Sequence, residues 1–349
     1  MHGEYKVPGG KLVAVDVDVE DGRLHNPRVS GDFFLEPDSA LEDINGALAG
    51  MPASATAEQL AGAITAAIDH TVSLVGFSAE AVGIAVRRAL GHATSWADHT
   101  FEVIHGGPVH PALNVALDEV IPGEVAAGRR GPTMRIWEWD APLVVIGSFQ
   151  SVRNEIDPEA LERHGMSVVR RISGGGAMFM EPGNCITYSL VVPESLVEGL
   201  SFERSYAFLD DWVLGALSDV GVDARYVPLN DIASEHGKIG GAAQKRFASG
   251  VVLHHVTMAY DIDADKMLDV LRIGREKMSD KGTRSANKRV DPMRSQTGMA
   301  REAIIDAFIA HFRGRYDTVL SEYTEDELAQ ARELMETKFL AEDWTYRVP

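Results

Sequence analysis

Cysteine is nearly absent from this chain of 349 residues: Cys185 is the only one. One thiol cannot close an internal disulfide or build a cysteine-rich zinc site, and such scarcity suits a reducing compartment, so a cytoplasmic location is expected. Long apolar runs are missing as well. No stretch reaches the roughly 18 apolar residues that a membrane span needs, and Met1-His2-Gly3-Glu4-Tyr5-Lys6 has no apolar segment of the kind that directs export. Positive charge is scarce too, with 33 Lys and Arg against 52 Asp and Glu, a net charge of -19. That balance argues against nonspecific affinity for a nucleic-acid backbone. Either a salt-adapted host or an ordinary solvated surface would account for the acidity. No internal repeat is apparent.

What is present describes a folded protein. The composition is 45% hydrophobic and 24% charged, which can fill a sizeable core, and the length favours one large domain plus a smaller one. Apolar and polar residues alternate from Leu12 to Val19 before Asp21-Gly22, the pattern of a β-hairpin. Segments 39–48 and 56–70 carry apolar residues at helical spacing, with Ser39, Thr56 and Ser78 as candidate N-caps. The segment 92–99 lacks such periodicity and reads as a linker, placing a boundary near residue 91. Beyond it, helices are expected over 112–120, 202–220, 264–271 and 324–339, and strands over 135–139, 143–147, 168–172, 186–192 and 251–262.

Two clusters could carry chemistry. In Arg170-Arg171-Ile172-Ser173-Gly174-Gly175-Gly176-Ala177-Met178-Phe179, a basic pair and a hydroxyl precede three glycines between two strands. Such a loop lets backbone approach a ligand closely and aim N–H groups at an anion, although a glycine triplet also suits a tight turn. It matches neither G-x-x-x-x-G-K-[ST] nor a helix-opening G-x-G-x-x-G. The second cluster is Asn230-Asp231-Ile232 followed by Lys238-Ile239-Gly240-Gly241-Ala242-Ala243-Gln244. A lysine beside small residues can reach phosphate or carboxyl oxygens, and a carboxylate such as Asp231 can hold magnesium; a solvated loop lysine and a turn aspartate are the alternatives.

Three further features are less specific. His254-His255 falls in an expected strand, so the two rings face opposite sides. Residues 275–294 hold seven Lys and Arg against three acidic residues, suiting an anion-facing loop or an exposed one. Cys185 reads as a small buried hydrophobe rather than a nucleophile.

Taken in order, these segments resemble the lipoate-protein ligase A family, which shares its fold with biotin protein ligases. The resemblance runs over 110–295 through HPALNVALDE from His110, WEWDAPLVVIGSFQ from Trp137, RRISGGGAMF, NDI, KIGGAAQKR, His254-His255, and Lys281-Gly282 through Arg289-Val290. It implies a mixed-sheet α/β (α+β) catalytic domain over 92–349. KVPGGKLV from Lys6 and SGDFF from Ser30 resemble the family's small α+β accessory domain, here at 1–91, ahead of the catalytic domain where the single-chain form has it behind.

The function so implied is ATP-dependent activation of lipoate to lipoyl-AMP, with Mg2+, and transfer to a lysine of an acceptor lipoyl domain. The acceptor would be a 2-oxoacid dehydrogenase subunit or the glycine cleavage H protein. Lys238 would be the catalytic lysine. ATP and lipoyl-AMP would be held by Arg171, Ser173, Gly174, Gly175, Gly176, Ala177, Met178, Phe179, Asn230, Asp231, Lys238, Gly241 and Ala242, with Asp231 near the metal. Met180-Glu181 stands where the family often has His-Asp, and Val256 where it often has Gly, so acyl fit or acceptor choice can differ. Lipoate and octanoate are not separated. The alternatives are an octanoyltransferase of the same fold, moving an acyl group from a carrier protein without ATP, and a nonenzymatic lipoate or nucleotide carrier. A biotin ligase would carry a different basic loop.

Overall fold

Val13, Val15 and Val17 are buried while Asp16 and Asp18 are exposed, so the alternating stretch folds as a strand with one apolar face. It is β2 (Leu12–Glu20), between β1 (His2–Lys6) and β3 (Arg23–Gly31) in an antiparallel sheet. Asp21 and Gly22 make its turn with φ of 50° and 72°, a conformation that glycine adopts freely. The computed structural model describes residues 1–91, 93–272 and 290–348, and these form two compact units. The first comprises Met1–Asp98 and Glu194–Phe208. It adds β4 (Phe34–Glu36), α1 (Ala40–Leu48), α2 (Ala57–Ala67), β5 (Ser73–Val75) and α3 (Ala79–Leu90).

Of the three candidate caps, Thr56 makes a reciprocal capping box with Gln59 and Ser78 accepts from the Ala81 N–H. Ser39 does not cap: its backbone is already helical, and its side chain makes no cap hydrogen bond. Helix α3 lies directly on β1, where a methyl group at Gly3 would come 2.5 Å from the Ala85 carbonyl oxygen. Arg88 near its end is buried and donates to the carbonyls of Leu196 at 3.0 Å and Thr94 at 2.5 Å.

The second unit comprises His99–Pro193 and Leu209–Pro349. In chain order it contains β6 (Phe101–His105), α4 (Pro111–Ala126), β7 (Thr133–Ile136), β8 (Leu143–Ile146), α5 (Val152–Glu155), α6 (Pro158–Arg163), β9 (Ser167–Arg170), β10 (Met178–Met180) and β11 (Cys185–Pro193). Then come α7 (Phe202–Asp219, entering from the first unit), β12 (Arg225–Val227), β13 (Asp231–Ala233), β14 (Lys238–Phe247), β15 (Val251–Ala259) and α8 (Ala264–Val270). The chain ends through α9 (Met293–Thr297), α10 (Arg301–Arg315), β16 (Thr318–Leu320), α11 (Glu325–Leu334) and α12 (Glu342–Thr345).

Eight strands form one sheet in the order β12-β13-β14-β15-β11-β7-β6-β16, and β10-β8-β9 form a second. Pairing is antiparallel except for β16 with β6, β6 with β7, and β8 with β9, so both sheets are mixed. The expected α/β architecture is therefore present.

Strand alternation assigns the two faces of β11. Tyr188 meets Trp212 of α7 with ring centroids 4.8 Å apart, and Trp212 meets Phe312 of α10 at 5.0 Å. Ser189, one residue on, points to the opposite face and to Asp118 of α4. Helix α4 is longer than its apolar pattern predicts, because Pro111 opens it at the first turn and it continues through Pro122 to Ala126. Among the described residues, no helix is long and apolar enough to cross a membrane.

Candidate active site

The site is built on one face of the central strands β14, β15 and β11. Pairing sets Gly241 opposite Thr257, Ala243 opposite His255, and Ser189 opposite His255 on the other side. Period-two alternation then puts Gly241, Ala243, Thr257, His255, Thr187 and Ser189 on a common face. Two of these strand positions carry almost no side chain, which leaves room above the sheet.

Lys238 stands at one end of that room. Its ammonium lies 2.7 Å from Asp231 Oδ1, with the lysine side chain about a third exposed at 37% and the carboxylate nearly covered at 11%. A methyl group at Gly241 would come 2.9 Å from the Lys238 Nζ, so the glycine lets the lysine lie flat over the strand. Asn230 fixes the neighbouring backbone: its Nδ2 donates to the Ala242 carbonyl at 2.6 Å, and the Ala242 N–H returns to the Asn230 carbonyl at 2.8 Å. The lysine main chain is tied down by Asp291, whose N–H donates to the Lys238 carbonyl at 2.9 Å.

The glycine-rich loop stands at the other end. Gly175 has φ of 88°, where other residues are strained, and its carbonyl would lie 2.1 Å from a methyl group on Gly147. Its own added methyl would touch the Ala243 side chain at 3.5 Å, so the loop sits over β14. Gly174 and Gly176 differ from it, since a methyl group on either would meet nothing. Arg171 holds the loop's shape: its guanidinium donates to the Gly174 carbonyl, to the Gly176 carbonyl at 2.9 Å and to Ser173 Oγ at 3.0 Å.

A buried polar row joins the loop to the sheet. Ser173 Oγ lies 2.7 Å from His255 Nε2, and His255 Nδ1 lies 2.6 Å from Asp118 Oδ2. The second Asp118 oxygen accepts from Arg135 Nη2 and from Ser189 Oγ, both at 2.6 Å. Burial alone would raise the Asp118 carboxyl, but Arg135, His255 and Ser189 hold it below its ordinary range. Burial lowers the His255 imidazole, with Arg171 and His254 adding to the effect against the pull of Asp118. His254 faces the other way, its Nε2 2.5 Å from Asp210 Oδ1, as two adjacent strand residues require.

Most of the residues singled out from the sequence converge here. Arg171, Ser173, Gly174, Gly175 and Gly176 form the loop, Asn230, Asp231, Lys238, Gly241 and Ala242 the opposite edge, and Met178 reaches between them to accept from Thr257 Oγ1 at 3.7 Å. Ala177 is half-buried beside Met178. Phe179, the next residue along β10, turns into the core with Val144 and Ile146. Asp118, Arg135 and Ser189 were missed as site residues. The available signal was Asn114 and Asp118, one helical turn apart among the apolar residues of α4. Lys281-Gly282 and the basic positions Arg275, Lys277, Lys281, Arg284, Lys288 and Arg289 lie outside the described residues.

Two candidate chemistries depend on surroundings. Cys185 is fully buried, and desolvation pushes its thiol up to about 12, so it is no nucleophile at neutral pH. Asp231 faces the Lys238 ammonium, and no group of three His, Cys, Asp or Glu among the described residues could hold a metal ion. Magnesium held through one carboxylate together with substrate phosphates needs no such group.

A mixed sheet carrying a glycine-rich loop, two strand glycines and a fixed lysine defines an enzyme of the biotin and lipoate ligase superfamily. Residues 110–313 match the model of the lipoyl protein ligase A/B catalytic domain, and the chain belongs to that family. It is 29% identical over 278 residues to Octanoyltransferase LipM of Kyrpidia tusciae, covering 71% of this chain and 99% of the relative. Octanoyltransferase LipM of Geobacillus kaustophilus is 29% identical over 280 residues, covering 72% and 99%. Among solved structures, a bipartite lipoate protein ligase from Thermoplasma acidophilum superposes with a TM-score of 0.62 at 27% identity, covering 72% of this chain and 97% of that one.

These relatives correct the expected activity. The sequence motifs point to an ATP-dependent lipoate-protein ligase, whereas the curated relatives are octanoyltransferases. The reason is chemical: a cation beside a glycine loop stabilises charge on an acyl oxygen whether the acyl group arrives as an adenylate or as a thioester. The motifs therefore identify the family without identifying the acyl donor.

Proposed function

We propose that this protein transfers an octanoyl group from a carrier thioester directly to the lysine amine of a lipoyl-domain acceptor, without ATP. The donor in this reading rests on the likeness to octanoyltransferases, and its chemistry on the placement of the Lys238 ammonium over Gly241, on the strand face beneath the glycine loop. Attack of an amine on a thioester places negative charge on the acyl oxygen, and a fixed ammonium stabilises that charge where it develops. Asp231 orients the lysine through the 2.7 Å contact with its ammonium.

Direct transfer is favoured over a cysteine-bound intermediate because the one thiol is sealed in the apolar core and protonated. Arg171 and Ser173 to Gly176 would line the acyl carbonyl, with Ala177 and Met178 along the chain. Residues 1–91 would act as an accessory unit, and the absence of thiol pairing is compatible with a cytoplasmic enzyme.

The test is octanoyl transfer from a carrier thioester to a purified lipoyl domain, with pyrophosphate release from ATP measured in parallel. Lys238→Ala should lower kcat by on the order of 10²-fold or more, while Cys185→Ala should retain wild-type kcat. Full activity in Lys238→Ala, or transfer that requires ATP and releases pyrophosphate, would sink the reading.

A further inference from the structure

The row from Asp118 through His255 to Ser173 is more specific than loop anchoring requires. An ionised Asp118 can only accept, so His255 Nδ1 carries the hydrogen across their 2.6 Å contact and Nε2 of the neutral ring is left as an acceptor. Arg171 Nε donates to Ser173 Oγ at 3.0 Å. The hydroxyl hydrogen is therefore free to point along the 2.7 Å line to His255 Nε2. A hydroxyl, a neutral imidazole and a carboxylate thus stand in sequence, with the hydroxyl at the first position of the glycine loop. That is the arrangement by which a base is oriented by a third group.

We propose that Ser173 and His255 form the proton relay of acyl transfer, carrying the proton that the attacking amine must lose. This inference rests on the transfer reading above. The acceptor lysine nitrogen forms its bond to the acyl carbon, its proton passes to Ser173 Oγ, and the Ser173 proton moves to His255 Nε2. As the carbon–sulfur bond breaks, the departing thiolate takes a proton back from the imidazolium through the same hydroxyl and leaves as a thiol. The products are an amide and a thiol, with His255 neutral again. Ser173, itself buried, would be the one group of the row to meet the reacting nitrogen. His255 and Asp118 act through it and are positioning residues, Asp118 stabilising the transient imidazolium.

The charged and titratable groups facing His255 are Asp118 from α4, Arg135 from β7 through that same carboxylate, Arg171 from the loop, and His254 on its own strand. A protonated imidazole cannot accept, so the rate falls as pH drops through the His255 value. That value lies below the ordinary 6.5, because burial, with Arg171 and His254 adding to it, outweighs Asp118.

The experiment measures kcat and KM of the full chain across a pH series with an octanoyl carrier thioester and a lipoyl domain, for wild type, Ser173→Ala, His255→Gln and the double variant. Ser173→Ala should lose on the order of 10²-fold in kcat with KM for the lipoyl domain unchanged. His255→Gln should lose a similar factor together with the acidic limb of the profile. The double variant should be no slower than the poorer single one, because the two act as a unit. A role limited to holding the loop would instead raise KM and leave the limb in place, which overturns the relay. If His255→Gln does not fold, Ser173→Ala decides alone, since it leaves the imidazole and carboxylate paired. An inactive wild type overturns the transfer reading and the relay with it, whereas an active wild type with a fully active Ser173→Ala overturns the relay only.

Discussion

Gly174, Gly175 and Gly176 are one letter repeated, yet the structure uses them differently. Gly175 is needed by the backbone, because its φ of 88° strains any other residue and an added methyl group would come 2.9 Å from the Arg171 guanidinium. Gly176 is under neither constraint, since an added methyl group meets nothing. The space beside it is therefore open to a ligand. Gly176→Val should leave the melting temperature nearly unchanged while lowering octanoyl transfer at least ~10-fold, through a contact worth about 1.4 kcal/mol or more. A variant that melts much earlier, or that transfers normally, would count against that assignment. The sequence identified the triplet as a loop with a possible cradle role but could not sort its members. The difference lies in φ angles and in what stands opposite each residue across the fold.

At the scale of elements, the loop is held by parts of the chain remote in sequence. Arg170 at the end of β9 is fully buried and donates to the carbonyls of Gly147 at 3.0 Å, Gln150 at 2.7 Å, Thr345 at 2.7 Å and Val348 at 3.1 Å. It ties the C-terminal segment to the turn after β8 that packs against Gly175. Trp344 returns a bond from Nε1 to the Arg170 carbonyl at 2.8 Å, and Arg347 reaches the Ser148 carbonyl at 2.8 Å. Arg170→Met would strand several buried carbonyls, each unpaired group worth about 1–3 kcal/mol. We expect a loss of at least ~2 kcal/mol in urea unfolding at unchanged m, and an unchanged midpoint would refute the role. Sequence alone placed Arg170 and Arg171 together as a basic pair for an anion. Strand alternation separates them: Arg170 serves the scaffold and Arg171 the loop.

For the whole molecule, the two units share one property, an excess of acidic over basic residues that totals -19. Like charges repel across a folded surface, and the screening length shrinks from about 30 Å at 0.01 M salt to about 3 Å at 1 M. Buried ion pairs such as Arg130 with Glu327, at 2.5 Å, are screened much less. Raising sodium chloride over that range should therefore raise the melting temperature, and a flat or falling trend would show that the acidity is not a net repulsion in the fold.

The sequence by itself determined the family and many of the elements, though not β14 or α10. Periodicities of 2 and 3.6 follow from backbone geometry and can be read locally, as in Leu12–Glu20 and Phe202–Asp219, and a glycine triplet, an Asn-Asp pair and a lysine in fixed order are local strings. The tertiary structure alone decided which groups touch. Asp118, Ser173 and His255 are brought together across separations of 82 and 137 residues, and no local signal encodes such a meeting. It also decided that Lys238 is matched to Asp231, because ammonium placement depends on which groups the fold brings near, and it shows Cys185 fully buried, as the sequence reading expects. The acyl donor followed from neither: one cation beside one glycine loop serves an adenylate and a thioester alike, and the proposed thioester donor rests on the likeness to octanoyltransferases.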